Sequence, residues 1–168
     1  LKLTAEVERA RQIRPWLETV DLLLDIHSMQ HPCPALTIAG LLPKGRELAG
    51  AVGVPAICVN DQGHAEGMRM RDFGGFSDPE SDRNAILVEC GQHWEASSGA
   101  VALDTTAAFL RHTGAVAPDF APDHDTAREP MRFYQVTQAV TIQTDAFRFA
   151  QDWRGFEHLP QGTLIGHD

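Results

Sequence analysis

The apolar positions of the chain fall into short continuous runs that alternate with one-sided stripes. Residues 20–26 form a run of strand length that leads into Asp25-Ile26-His27-Ser28, and 85–88 form a second that ends in Glu89-Cys90-Gly91. Runs of this kind predict strands buried on both faces. Shorter runs at 36–39 and 54–59 predict two more strands. Between them lie stripes at helical spacing. Val7, Ala10, Ile13 and Leu17 follow the cap residue Thr4, Leu48 and Ala51 fall within 44–52, and Ala96, Ala100, Leu103, Ala107 and Leu110 fall within 95–112. Pro15 is expected to interrupt the first helix, because it lacks the N–H that the helix needs. Gly53 and Gly114 are natural stops for the other two. This alternation predicts an α/β layer built on a largely parallel sheet.

Two stretches depart from the alternation. Residues 60–84 replace apolar periodicity with glycines, acids and arginines, and a loop of that length inside a compact unit is usually functional. Residues 117–130 form a proline-rich linker, after which the period shortens: Phe133, Val136, Ala139, Val140, Ile142, Phe147 and Phe149 suggest short strands, and 159–166 a turn into another. The expected organisation is an α/β unit over 1–116, a linker over 117–130 and a small β unit over 131–168.

Charge narrows the partners. A formal net charge of -9 argues against nucleic acid, which needs clustered Lys and Arg. No stretch approaches the ~20 apolar residues of a membrane span, so no membrane partner is expected. Cys33, Cys58 and Cys90 are widely spaced among apolar residues and read as reduced thiols of a cytoplasmic protein rather than a disulfide framework.

In open α/β sheets the reacting groups collect at the carboxyl ends of strands, where His27 and Glu89 both fall. One reading of His27 is a strand-end histidine satisfied by hydrogen bonds. The other is a metal ligand, with Asp25 as the outer carboxylate that orients it and Ser28 as a polar neighbour. Glu89 follows Ile86-Leu87-Val88 and is costly to bury unless it is paired, for example with Arg83 or Arg71, or serves as a general base with a raised pKa. His93, at the start of the third helix, is a candidate proton carrier or substrate contact, or a helix-cap residue. His31 belongs to a proline-flanked loop, and His64 and Glu66 to the glycine-rich one. His-x-x-Glu, Cys-x-x-Cys and Gly-x-Ser-x-Gly do not occur, so the chain has neither a self-contained zinc motif nor a serine-nucleophile signature.

Leu24-Asp25-Ile26-His27-Ser28 followed by Leu87-Val88-Glu89-Cys90-Gly91-Gln92-His93-Trp94 resembles the succinylglutamate desuccinylase/aspartoacylase family. The stretch from Phe147-Arg148-Phe149-Ala150 to Leu159-Pro160-Gln161-Gly162-Thr163-Leu164 looks like that family's C-terminal β domain. The resemblance implies part of a zinc-carboxypeptidase-like mixed or parallel α/β sheet with flanking helices, followed by a small, incomplete C-terminal β domain. It implies Zn2+ held by an early His-x-x-Glu pair and by the histidine of Asp-x-His, which His27 matches, with Glu89 as the catalytic base. The early pair and an Asn-Arg substrate-binding segment have no counterpart here, so the chain is expected to be a fragment whose two other zinc ligands lie upstream of Leu1. The implied activity is hydrolysis of the amide bond of a small N-acyl amino acid, by a longer protein, with this chain alone inactive. Because family substrates carry carboxylates, Arg83, Arg71 and Arg69 are candidates to bind them, with homo-oligomerisation left open. A zinc carboxypeptidase or amidase of other specificity, and a non-catalytic binding or assembly module that retains the fold, are the alternatives.

Overall fold

A computed structural model describes residues 4–63, 67–125 and 129–168; His64 and Glu66 lie outside them. Five strands form one mixed sheet in the order β1-β4-β2-β3-β5, made of Leu22–Met29, Asn84–Gln92, Leu36–Ile38, Ile57–Asn60 and Arg132–Gln135. β1 and β4 are parallel, β4 and β2 antiparallel, and β2, β3 and β5 mutually parallel. The sheet is therefore less uniformly parallel than the strand–helix alternation predicts. The departure comes from β2, which follows β1 through a short proline-flanked loop that turns the chain back, with no crossover helix to return it to a parallel course.

β4 is the strand the apolar run predicts: Ala85, Ile86, Leu87 and Val88 are all buried between its neighbours. β1 is not, although its sequence is as apolar. It is an edge strand, covered by β4 on one side only, so Leu22 and Ile26 are exposed. Helices α2 (Pro43–Val52) and α3 (Ala96–His112) pack one sheet face through a core of Ala39, Leu48, Ala49, Val52, Cys58, Ile86, Ala108 and Phe109. α2 stops at Gly53, whose φ of 73° is the left-handed cap that glycine adopts at little cost. β3 starts only at Ile57, since Pro55 just before it cannot donate to the ladder.

Helix α1 (Ala5–Leu17) starts where expected, with the Thr4 hydroxyl accepting from the Val7 N–H. It runs on through Pro15, which does not interrupt it. The proline stands in the last turn of an exposed helix, where one missing backbone bond is tolerated.

The 60–84 loop carries two single 3-10 turns, Met70–Asp72 and Gly74–Phe76, rooted by buried Arg71 and Phe76. Its far end is gathered by Lys44, whose Nζ donates to the carbonyls of Gly75, Asp78, Ser81 and Arg83 at 2.9, 2.7, 2.8 and 2.7 Å.

Beyond the linker, Arg132–Gln135 pairs with β3 and so extends the main sheet. Phe133 packs against the core and lies beneath the Arg46 guanidinium at 4.1 Å. The short strands expected through Val136, Ala139, Val140 and Ile142 do not form, because that exposed stretch pairs with no strand among the described residues. A two-stranded antiparallel sheet of β6 (Arg148–Phe149) and β7 (Gly166–His167) completes the C-terminal unit. Among the described residues no helix is long and apolar enough to cross a membrane.

Candidate functional site

Parallel pairing of β1 and β4 sets His27 directly beside Glu89 at the carboxyl ends of both strands, and Leu36 of β2 flanks Glu89 on its other side. Paired residues of neighbouring strands project from one face, so Asp25, His27 and Glu89 share the face opposite α2 and α3. Past this point the ladder slips: Met29 pairs with Gln92, so β4 carries one extra residue. Gly91 absorbs the bulge with a φ of 115°, and a Cβ there would lie 3.0 Å from Ser98 Oγ on α3. The glycine two places after the glutamate thus serves the bulge and the approach of α3.

Asp25 is buried, and its Oδ1 lies 3.1 Å from His27 Nε2. That contact fixes the imidazole and leaves Nδ1 without a hydrogen-bond partner among the described residues. Burial raises the Asp25 pKa, against the opposing pull of His27 and Arg69.

Glu89 forms no hydrogen bond or ion pair among the described residues, and its Oε2 is buried with no partner. Burial pushes its pKa above the ordinary carboxylate range, partly offset by His27 and His93, with Asp25 adding to the rise. A half-buried carboxylate with a lone buried oxygen keeps its proton to higher pH than a solvated one does.

Neither arginine considered as a salt-bridge partner for Glu89 serves as one. Arg71 is 3% exposed; its Nη1 meets Asp72 Oδ1 at 2.5 Å, and its Nη2 donates to the carbonyls of Ala39 and Ala85. Arg83 donates from Nε to Val20 O at 2.9 Å and from Nη2 to Leu17 O, and stacks over Phe76 at 4.6 Å. Both anchor backbone carbonyls of the fold, with Arg71 Nε left buried and without a hydrogen-bond partner among the described residues. Arg69 is held by Asp61 and Asp72.

His93 is exposed just beyond β4, and its Nδ1 lies 2.6 Å from Ser28 Oγ. The sequence offers Ser28 as a polar neighbour of His27; its hydrogen-bond partner is instead His93, on the neighbouring strand's extension. The apolar runs alone do not disclose it: aligned at His27 and Glu89 they set Ser28 opposite Cys90, and the bulge in β4 lies between that position and His93.

Chemically, His27 and Glu89 are donors a metal could use. Among the described residues, however, no group of three His, Cys, Asp or Glu side chains could hold a metal ion. A catalytic zinc takes about three protein ligands, so the described residues do not make a zinc site by themselves.

No protein-family profile and no curated protein matches the sequence. Solved structures do match the fold. Succinylglutamate desuccinylase from Vibrio parahaemolyticus is 17% identical with a TM-score of 0.64, and that from Vibrio cholerae is 16% identical with a TM-score of 0.65; each match covers 100% of this chain and 52% of the other. The ectoine utilization protein EutE (DoeB) from Ruegeria pomeroyi, in its apo structure, is 16% identical with a TM-score of 0.58, over 82% of this chain and 44% of its own. The chain therefore spans about half the length of these structures, and it has the fold of the succinylglutamate desuccinylases: a mixed sheet with flanking helices and a small C-terminal antiparallel sheet.

Proposed function

We propose that the chain is part of a hydrolase that cleaves the amide bond of a small N-acyl amino acid, with Glu89 as the group that moves protons. The observation that carries this reading is Glu89 itself. It is a carboxylate of raised proton affinity, without a hydrogen-bond partner among the described residues, set in register with the Asp25-oriented His27, in a desuccinylase-like fold. A carboxylate in that state takes a proton from an attacking water and returns it to the departing amine. Asp25 keeps the His27 ring oriented, and Ser28 does the same for His93, which stands near enough to Glu89 to influence its charge. Zinc belongs to this reading only as a proposal: His27 Nδ1 would supply one ligand, and the remaining ligands would come from outside the described residues.

Replacing the base tests the reading. In the protein that carries this chain, Glu89→Gln should lower the hydrolysis of N-acyl amino acids by about 10²- to 10⁴-fold. A panel of N-acetylaspartate, N-succinylglutamate and unrelated N-acyl amino acids identifies the substrate class. An unchanged rate in the variant removes Glu89 from the chemistry and the proposal with it.

A further inference from the structure

A cavity of about 450 Å³ opens where the C-terminal unit meets the carboxyl end of the sheet, lined by Pro32, Cys33, Pro34, Gln92, Glu95 and Arg154. That volume suits a small metabolite. Two walls lead straight to Glu89: the 32–34 segment runs into Leu36, its register partner on β2, and Gln92 ends the strand that bears it. Cys33 lies within the field of Glu89: burial and then the Glu89 charge raise the thiol pKa.

Arg154 is the one cation in this lining. Its side chain is exposed and makes no hydrogen bond or ion pair among the described residues; its backbone N–H donates to Glu157 Oε1 at 2.5 Å, and its charge adds a minor share to the lowering of the Glu157 pKa, which comes first from that backbone bond. The turn that presents it is held from several sides. Phe156 has a φ of 65°, which costs a non-glycine residue roughly 1 kcal/mol. The Phe156 ring lies 4.8 Å from that of Tyr134 on β5, Trp153 Nε1 donates to Ile165 O at 3.0 Å, and a Cβ on Gly155 would sit 3.8 Å from Cys33 Sγ. A strained turn fixed by packing on the main sheet is a fixed mount for a guanidinium.

We propose that this cavity is the carboxylate-binding part of the substrate site, and that Arg154 is the specificity residue that recognises the carboxylate of the acylated amino acid. The assignment rests on the deacylase reading above, whose site it extends. A guanidinium offers two parallel N–H donors that match a carboxylate. Glu95, on the same lining and near Ser97 Oγ at 3.2 Å, repels an anion from its own end and leaves Arg154 as the attractive wall. In a chain of net charge -9, an anionic substrate needs such a local cation to be retained.

The test is an NMR titration of the 168-residue chain with N-acetylaspartate and with its uncharged diamide, at physiological salt. N-acetylaspartate should shift the signals of Gln92, Glu95, Gly155 and the Arg154 Nε–H, and the diamide should not. Arg154→Gln should weaken the acid at least ~10-fold, as loss of a bidentate charge-assisted pair does; Arg154→Lys should recover part of that loss, and Arg148→Gln should leave it unchanged. Equal binding of acid and diamide, an unaltered Kd in Arg154→Gln, or no shift at these residues each overturns the assignment. The two proposals fail separately, because Glu89→Gln removes hydrolysis while leaving the Arg154 contact in place.

Discussion

Glu89 has a buried oxygen with no partner, so its ionised form is a local cost to the fold. Burial raises its pKa above the unfolded value. The sign follows from linkage: such a group favours the folded state below the ordinary carboxylate range, and that contribution is lost as the pH rises through the raised folded pKa. In chelator-treated protein, Glu89→Gln should therefore raise the melting temperature at pH 7 by a few degrees, a scale of about 2–4 °C per kcal/mol being usual for a domain of this size. The gain should disappear below about pH 4, where the wild-type carboxyl is protonated in both states. Thermal unfolding between pH 4 and 8 reads this directly. A glutamate held in a buried ion pair would behave oppositely and lose stability on neutralisation, so the sign of the shift separates the two roles that the sequence left open. Stability lost at a reactive carboxylate is the usual cost of a working site.

At the scale of elements, the 60–84 loop shows what organises a stretch without apolar periodicity. Four carbonyls converge on the Lys44 ammonium, which has three protons, so one proton is shared. Lys44 lies in the first turn of α2, and Arg83 and Asn84 at the loop's end lead into β4; the lysine therefore sets where the strand bearing Glu89 begins. Lys44→Met should cost about 3 kcal/mol, in the range for charge-assisted bonds to several acceptors, and should speed amide exchange across 75–84. Lys44→Arg should not restore it, since a planar fork cannot point at converging acceptors. Unchanged unfolding in Lys44→Met would show that the loop is held by Arg71 and Phe76 alone.

The same loop marks the limit of what the sequence discloses. The two strands β1 and β4, α2, α3 and the placing of His27 and Glu89 at strand ends were legible because apolar period and strand-end chemistry are local signals; that β1 and β4 pair in register was not. The anchoring roles of buried Arg71 and half-buried Arg83 were not, because an arginine in a glycine-rich loop looks the same whether it faces solvent or backbone carbonyls brought in from distant elements. The exposure of β1 and the main-sheet pairing of Arg132–Gln135 were hidden for a related reason: both depend on which neighbour a strand finds.

Across the whole molecule, order is concentrated where the sheet meets α2 and α3, and α1 stands apart from it. No residue of α1 is buried. A cavity of about 910 Å³ separates its Ile13 and Leu17 side from Met70, Phe73 and His27. What fixes it is polar: Arg83 donates to Leu17 O at its last residue, and Arg14 lies over the Phe73 ring at 5.6 Å. A 13-residue helix is marginal in water without an apolar face packed against something, and opening it exposes little that was covered. Amides within α1 should therefore exchange at least ~100-fold faster than those of Ile86, Leu87 and Val88, which open only with the whole domain. Substitution should follow the same division: Ile13→Ala should cost under ~0.5 kcal/mol, as at other uncommitted positions, and Ile86→Ala ~3 kcal/mol, as in a closed core. Hydrogen exchange read by mass spectrometry and denaturant unfolding of the two variants measure both halves. Equal protection of α1 and β4 would mean that the cavity beside His27 is closed in solution by docking of the helix, and α1 would then count as part of the core rather than a flap beside the site.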